Sequence, residues 1–411
     1  MIQRALVILL LTGAIAACNR TPAPAAQKKA EAAEPARHLD RDANNLLNIA
    51  SGAAVLSRTA ELDLESSALH AIDGMSTTRW TSPPGDVNQT LIFSFGAPVR
   101  VEQVGISTTA PDTETPRNIR FSASSDARTW RDVTVLEPKG EGNNGTFMVK
   151  VEPFDANFLR VETVEPSEKY GHLMSVHALG SEIYPAELKS FDGCWVINGQ
   201  PAKLTQRGAR ITGVILPLHK GDPLTVIDGG TDGRVARLMW IRGPQWGFAA
   251  ATLTADSRVL SALTFHQNPL TGYAGRAWFG ERCESKLEIE TAPPVHFLNR
   301  SGQWTMSGLA FDDREQLIPA LSTSTLDELV NLIKLAPEQR FRILSHEFRY
   351  GRDENRQRTV TRIASLRAAL DARGIDWSRV EMVPSGDEWQ VAEPVFAVQR
   401  LLWSRVDLQL Q

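Results

Sequence analysis

Five arginines, at positions 356, 358, 362, 367 and 373, fall within the stretch "NRQRTVTRIASLRAALDARGI", residues 355–375. A guanidinium is planar and permanently charged, and its paired N–H donors match the two oxygens of a carboxylate. A helix carrying several of them is suited to gripping an anionic group. Shortly before this stretch, Ser345, His346 and Glu347 set a hydroxyl, an imidazole and a carboxylate side by side. Three cysteines, at 18, 194 and 283, are the only thiols in the chain.

The bulk of the sequence limits what these groups serve. With 411 residues the chain is long enough for several domains, and its 42% hydrophobic content allows each a core. A formal net charge of -4 argues against a general nucleic-acid partner. "SHEFRY" starts like the HExxH zinc motif, but Tyr350 stands where the second histidine is needed. GxSxG, P-loop and CxxC motifs are missing, so the expectation is a protein without catalysis.

The N-terminus reads "MIQRALVILLLTGAIAACNR", one Arg followed by an apolar run and small residues, the pattern of a secretory signal. Its end, "IAAC", resembles a bacterial lipobox. That resemblance implies a signal peptide over 1–17 and a lipid on Cys18; Asn19 at the next position resembles lipoproteins sorted to the outer membrane. The alternative is an ordinary cleaved signal with an incidental Cys. Residues 18–44, rich in Ala, Pro and charge, read as a flexible tether. In an exported protein the remaining even pair, Cys194 and Cys283, predicts a disulfide, the other reading being two separate buried thiols.

From 45 to 185 short β-type runs alternate with turn residues, which implies an all-β sandwich. In order, "NIASGAAV", "AIDGMSTTRW", "FSFGAPVRVEQVGI", "RFSASSDARTW" and "NFLRVETV" resemble the discoidin, or factor V/VIII type C, pattern. The resemblance implies ligand contacts from loops at one end of the sandwich, with Arg117, Tyr170 and His172 as candidates for a glycan or a partner protein. It also implies a candidate structural calcium, with Asp73, Thr78 and Glu182 as ligands. Residues 186–292 are a second β-rich segment with glycine turns, similar to small calycin-type barrels, and its tryptophans 195, 240, 246 and 278 read as core.

The texture of 293–411 is mixed α/β. "STSTLDELVNLIKLAPE" reads as a helix with a capping box from Thr325 to Glu328, and the arginine-rich helix ends at Gly374. "RFRILSHEFRYG", "NRQRTVTRIASLRAALDARGI", "RVEMVPSG" and "SRVDLQL" resemble, in order, the OmpA-like peptidoglycan-binding domain. Members of that family hold the diaminopimelate of the stem peptide with one Asp and one Arg. Asn355 and Arg362 keep the family spacing, which makes Arg362 the expected carboxylate clamp. The family's Asp falls on Glu347 when the motif is aligned through Asn355, and on Phe348 when aligned through Gly351. The other arginines of the helix read as a solvated face.

The sequence therefore points to a periplasm-facing outer-membrane lipoprotein. Its partners would be peptidoglycan through Arg362, Asn355 and Glu347, and a glycan or envelope protein through the discoidin-like domain. The alternative is an envelope interaction scaffold whose OmpA-like domain has lost peptidoglycan binding.

Overall fold

The computed structural model describes residues 44–411 apart from position 64 and segments 85–88, 109–115, 139–144, 166–170, 185–187, 268–276, 285–286, 288–293 and 389–395. Cys18, the signal segment, nearly all of the tether and Tyr170 lie outside the described residues, as do the expected joins at 185–186 and 292–293.

The first β region holds β1 (Ala54–Arg58), β2 (Trp80–Thr81), β3 (Thr90–Thr108), β4 (Asn118–Ser124), β5 (Arg131–Leu136), β6 (Gly145–Glu165), β7 (His172–Leu173) and β8 (Ser175–Glu182). Six of these form one antiparallel sheet in the order β1-β3-β6-β4-β5, with β8 also on β3, while β2 and β7 pair separately. The long strands β3 and β6 change partners along their length. Residues 91–94 of β3 face β1, and residues 99–107 face β8, with register shifts between Ser94 and Val99 and between Val101 and Gln103. Such irregularities bend a strand and let one sheet curl over its own core. Trp80, Phe93, Phe95 and Phe121 are buried in that core.

The second region is a closed barrel, β9 (Gly193–Ile197), β10 (Gln200–Arg207), β11 (Arg210–Ile215), β12 (Thr225–Thr231), β13 (Val235–Arg242), β14 (Gln245–Leu253), β15 (Val259–His266) and β16 (Trp278–Arg282). Each strand pairs with the next, and β16 pairs back on β9, so the sheet has no free edge. Trp195, Leu204, Ile211, Leu238 and Leu260 fill the interior. The disulfide Cys194–Cys283 joins the first barrel strand to the residue just after the last. It closes a sequence separation of 89 residues, which in the chain-entropy model stabilises by about 4–5 kcal/mol.

The third region contains α1 (Val295–Ser301), β17 (Gln303–Thr305), α2 (Pro319–Leu335), β18 (Phe341–His346), α3 (Arg352–Asp371), β19 (Val380–Gly386), α4 (Ala397–Trp403) and β20 (Val406–Leu410). The sheet order is β17-β20-β18-β19; β18 and β19 are parallel, and the other two pairs are antiparallel. Helix α2 begins earlier than its supposed capping box. Pro319 occupies the first turn, where its missing N–H has no consequence, and Thr325 is buried within the helix. Helix α3 ends at Asp371, with Gly374 in the left-handed region at φ 68°.

These three regions do not stand apart. The described residues belong to one compact unit. One apolar cluster runs from Phe93 and Val101 through Val226, Met239, Phe248 and Phe265 on the barrel to Trp304, Leu326 and Leu366. Strands β12 to β15 are therefore covered on both faces, which explains uninterrupted runs such as "WGFAAATL". Polar seams run beside it. Ser261 Oγ accepts from Val55 N at 3.1 Å and donates to Val55 O at 3.2 Å, and Thr252 Oγ1 donates to Ala53 O at 2.8 Å. On the other side a Cβ on Gly230 would lie 2.0 Å from the carbonyl oxygen of Ser307, so only glycine allows that approach.

Candidate functional site

Where the separate β2–β7 pair ends, the chain is closed by small residues. Ser82 N donates to Gly171 O at 2.9 Å, and Gly171 N donates to Ser82 Oγ at 2.8 Å. A Cβ on Gly171 would lie 3.8 Å from Pro116 Cγ, so the chain just before Arg117 reaches the same place. Arg117 is exposed there. His172 is not: it is buried, with Nδ1 2.9 Å from Thr81 Oγ1. It pins β7 to β2 and offers no stacking face, contrary to the expectation from sequence. Tyr170, the third expected contact residue, falls outside the described residues, as do segments 109–115 and 139–144.

The expected calcium ligands do not fit a cation. Asp73 is fully buried, and protein donors occupy both its oxygens. Met75 N donates to Oδ1 at 2.7 Å; Thr78 Oγ1 donates to Oδ2 at 2.7 Å, with His70 Nδ1 at 2.9 Å. Burial pushes the Asp73 carboxyl up, against the pull of His70. Glu182 is held by Arg234 through both oxygens, at 2.5 and 2.8 Å, across the seam with the barrel. Calcium needs several free oxygen ligands. Asp73 and Thr78 instead tie a turn together, and Glu182 joins two regions. Among the described residues no group of three or more His, Cys, Asp or Glu side chains is arranged to hold a metal.

The arginine-rich helix departs most from expectation. Arg362, the expected open clamp, has only 5% of its side chain exposed. Its Nη2 donates to Glu315 at 2.6 Å and to Glu347 at 2.8 Å, its Nε donates to Glu315 at 2.8 Å, and its Nη1 donates to His346 O at 3.0 Å. Arg349 forks onto Glu347 at 2.9 and 2.7 Å, and Arg358 bridges Glu315 and Glu354 at 3.0 and 2.9 Å. Ser404 Oγ adds a bond to Glu347 at 2.7 Å. Glu347 is fully buried; burial alone works to raise its pKa, but Arg349 and Arg362 hold it well below the ordinary carboxylate range. Three arginines thus meet three glutamates, and a fourth, Arg237, stands near them with Nη1 donating to Ser404 O at 3.0 Å, so the donors of Arg362 are already taken by groups of its own chain.

Glu347, not Phe348, faces Arg362; Phe348 is buried and packs edge-on against Trp403 at 6.0 Å between ring centroids. Asn355, another expected ligand residue, is buried too. Its amide donates to Tyr350 O at 2.8 Å and its Oδ1 accepts from Tyr350 N at 3.1 Å, which fixes the loop entering α3. Burial pushes His346 down to about 4, so it is a neutral part of the strand end at neutral pH. Arg356 is exposed as expected, while Arg367 lies over the Trp377 ring at 4.3 Å and Arg373 pairs with Asp327 at 3.3 Å. Sequence reading missed Glu315 and Arg349, whose importance arises from chain folding and has no local spacing signal.

The F5/8 type C domain model matches residues 56–176. No curated protein matches the chain. Solved structures similar to it include CBM32-3 from a family 31 glycoside hydrolase of Clostridium perfringens, at 16% identity, 32% of this chain, 93% of that chain and TM-score 0.30. Another is the family 32 CBM of C. perfringens NanJ in complex with galactose, at 21% identity, 31% and 94% coverage and TM-score 0.27. A third is chitosan-binding module 1 from a chitosanase/glucanase of Paenibacillus sp. IK-5, at 22% identity, 32% and 98% coverage and TM-score 0.28. Residues 56–176 are an F5/8 type C, discoidin-like domain.

Proposed function

We propose that this protein is a non-catalytic carbohydrate-binding protein of the bacterial cell envelope, held to the outer membrane by lipid on Cys18. The discoidin-like domain meets the glycan through the loop end that carries Arg117. The remainder is a rigid scaffold that presents it. The observation that carries this reading is the F5/8 type C match over 56–176, with Arg117 exposed where Ser82, Pro116 and Gly171 converge.

The third region is read as an OmpA-like domain that no longer grips peptidoglycan. Its strand order, with α3 between the parallel pair β18 and β19, supports the OmpA-like part of that reading. The saturation of Arg362 by Glu315 and Glu347 supports the loss of grip. An incoming diaminopimelate carboxylate would have to displace a buried carboxylate already bonded there.

The test uses the purified full chain. It is titrated with galactose, N-acetylglucosamine oligomers and chitosan oligomers, and sedimented with purified peptidoglycan. At least one of the glycans binds, and Arg117→Ala weakens it by about tenfold, as loss of one good polar contact does. Binding of none of them, or binding indifferent to Arg117→Ala, overturns the glycan reading. Retention on peptidoglycan that diaminopimelate competes away and Arg362→Lys abolishes restores the wall-gripping role.

A further inference from the structure

The barrel has a cavity at one end that no part of the discoidin-like reading uses. Its volume is about 610 Å³, within the range of small-molecule sites, roughly 300–1,000 Å³. The turn between β9 and β10, the link between β11 and β12, and the turn between β13 and β14 surround it, together with the ends of β15 and β16. Trp240 forms part of its floor, buried, with its indole N–H donating to Phe248 O at 3.2 Å. Trp278, half-buried, is a wall; the two ring centroids are 6.3 Å apart with planes tilted by 60°. His266 meets Trp240 edge-on at 5.1 Å and holds that ring in place.

Around this aromatic corner stand Asn198, Gln200, Gln245 and Arg242. None of the described residues lining the cavity is acidic, and among the described residues no carboxylate pairs with Arg242. Below it the barrel is plugged by Trp195, Ile211, Leu238 and Leu260, each no more than 3% exposed.

We propose that this cavity is a second binding site, and that its ligand is an acidic sugar unit of the uronic acid type. The electron-rich face of an indole attracts the polarised C–H face of a pyranose ring. Side-chain amides can donate to and accept from ring hydroxyls. A guanidinium with no carboxylate partner among the described residues matches the sugar carboxylate through two parallel bonds. A fatty acid fits poorly, because the amides of Asn198, Gln200 and Gln245 would be desolvated without partners along its alkyl chain. A neutral sugar leaves Arg242 unanswered.

This site does not depend on the discoidin-like domain, and its test separates the two. The full chain, both as wild type and as Arg117→Ala, is titrated calorimetrically with glucuronic acid and galacturonic acid, then with glucose, galactose and decanoate, and the barrel site is read from the binding that persists in Arg117→Ala. At least one uronic acid binds, about tenfold tighter than its neutral counterpart, and binding weakens as salt is raised. Arg242→Gln removes that tenfold preference, Trp278→Ala abolishes binding, and Arg117→Ala leaves it unchanged. Failure of both acids to bind overturns the proposal. So do equal affinity for acid and neutral sugar, binding untouched by Arg242→Gln and Trp278→Ala, or tighter binding of decanoate. Arg242 lies at the rim, so its variant keeps the fold and the test does not rest on Trp278 alone.

Discussion

Arg362 and Arg242 carry the same guanidinium in opposite settings. Arg362 sits on a helix in a segment that resembles a carboxylate-binding motif, yet Glu315 and Glu347 of its own chain already fill its donors. Arg242 ends a barrel strand with no motif around it, and it lines a cavity whose described lining residues include no acid. One group has been turned into architecture; the other remains available. The difference is whether the fold supplies the counter-ion, and that is decided by tertiary structure. A buried arginine with its carboxylates in place contributes order and rigidity, whereas one at a cavity rim keeps its capacity for a ligand.

The contrast can be broken by measurement. Arg362→Ala leaves buried Glu315 and Glu347 without the guanidinium that bridges them and costs about 3 kcal/mol in denaturant unfolding, the low end for such a loss because Arg349 and Arg358 remain. A loss below about 1 kcal/mol would show that Arg362 is not structural. Glu347→Gln costs about 2 kcal/mol at pH 7, since buried Arg362 and half-buried Arg349 lose an anion. This second effect depends on pH. Glu347 is held below its ordinary value in the folded state, so its stabilisation is full above the ordinary glutamate range and is lost as pH falls through that range toward the folded value. The gap between wild type and Glu347→Gln therefore narrows as the solution is acidified below about pH 4.5. A gap that is constant from pH 7 to 3 contradicts the network. Arg242→Ala is the smallest, within about 0.5 kcal/mol of wild type, as for a surface residue with no partner to strand. A larger loss would place Arg242 with Arg362 among the structural arginines.

Much of the fold was legible because it rests on periodic signals. The strands "TLIFSFG" and "RNIRFSASSD" were visible from β-branched and aromatic residues between turns, and the cysteine pair announced itself by parity. The start of α2 was misplaced because Thr325 and Glu328 imitate a capping box, while Pro319 carried the true signal. The sites were less legible. Arg362 meets Glu315 across 47 residues, and Glu182 meets Arg234 across 52. No local pattern encodes either pair, so both arginine and acid looked free. Likewise Trp240 and Trp278 are core-like in sequence, and only barrel closure places them at one open corner beside Arg242.

The apolar cluster that crosses all three regions has a material consequence. Excising the discoidin-like domain would strip the cover from Val55, Ala53 and Ser94 on one side and from Ser261 and Thr252 on the other. The parts are distinguishable as text but not as separable solids. Among the described residues the three regions share one packed core, so a pull on the first sheet is carried into the barrel and onward to the last helices.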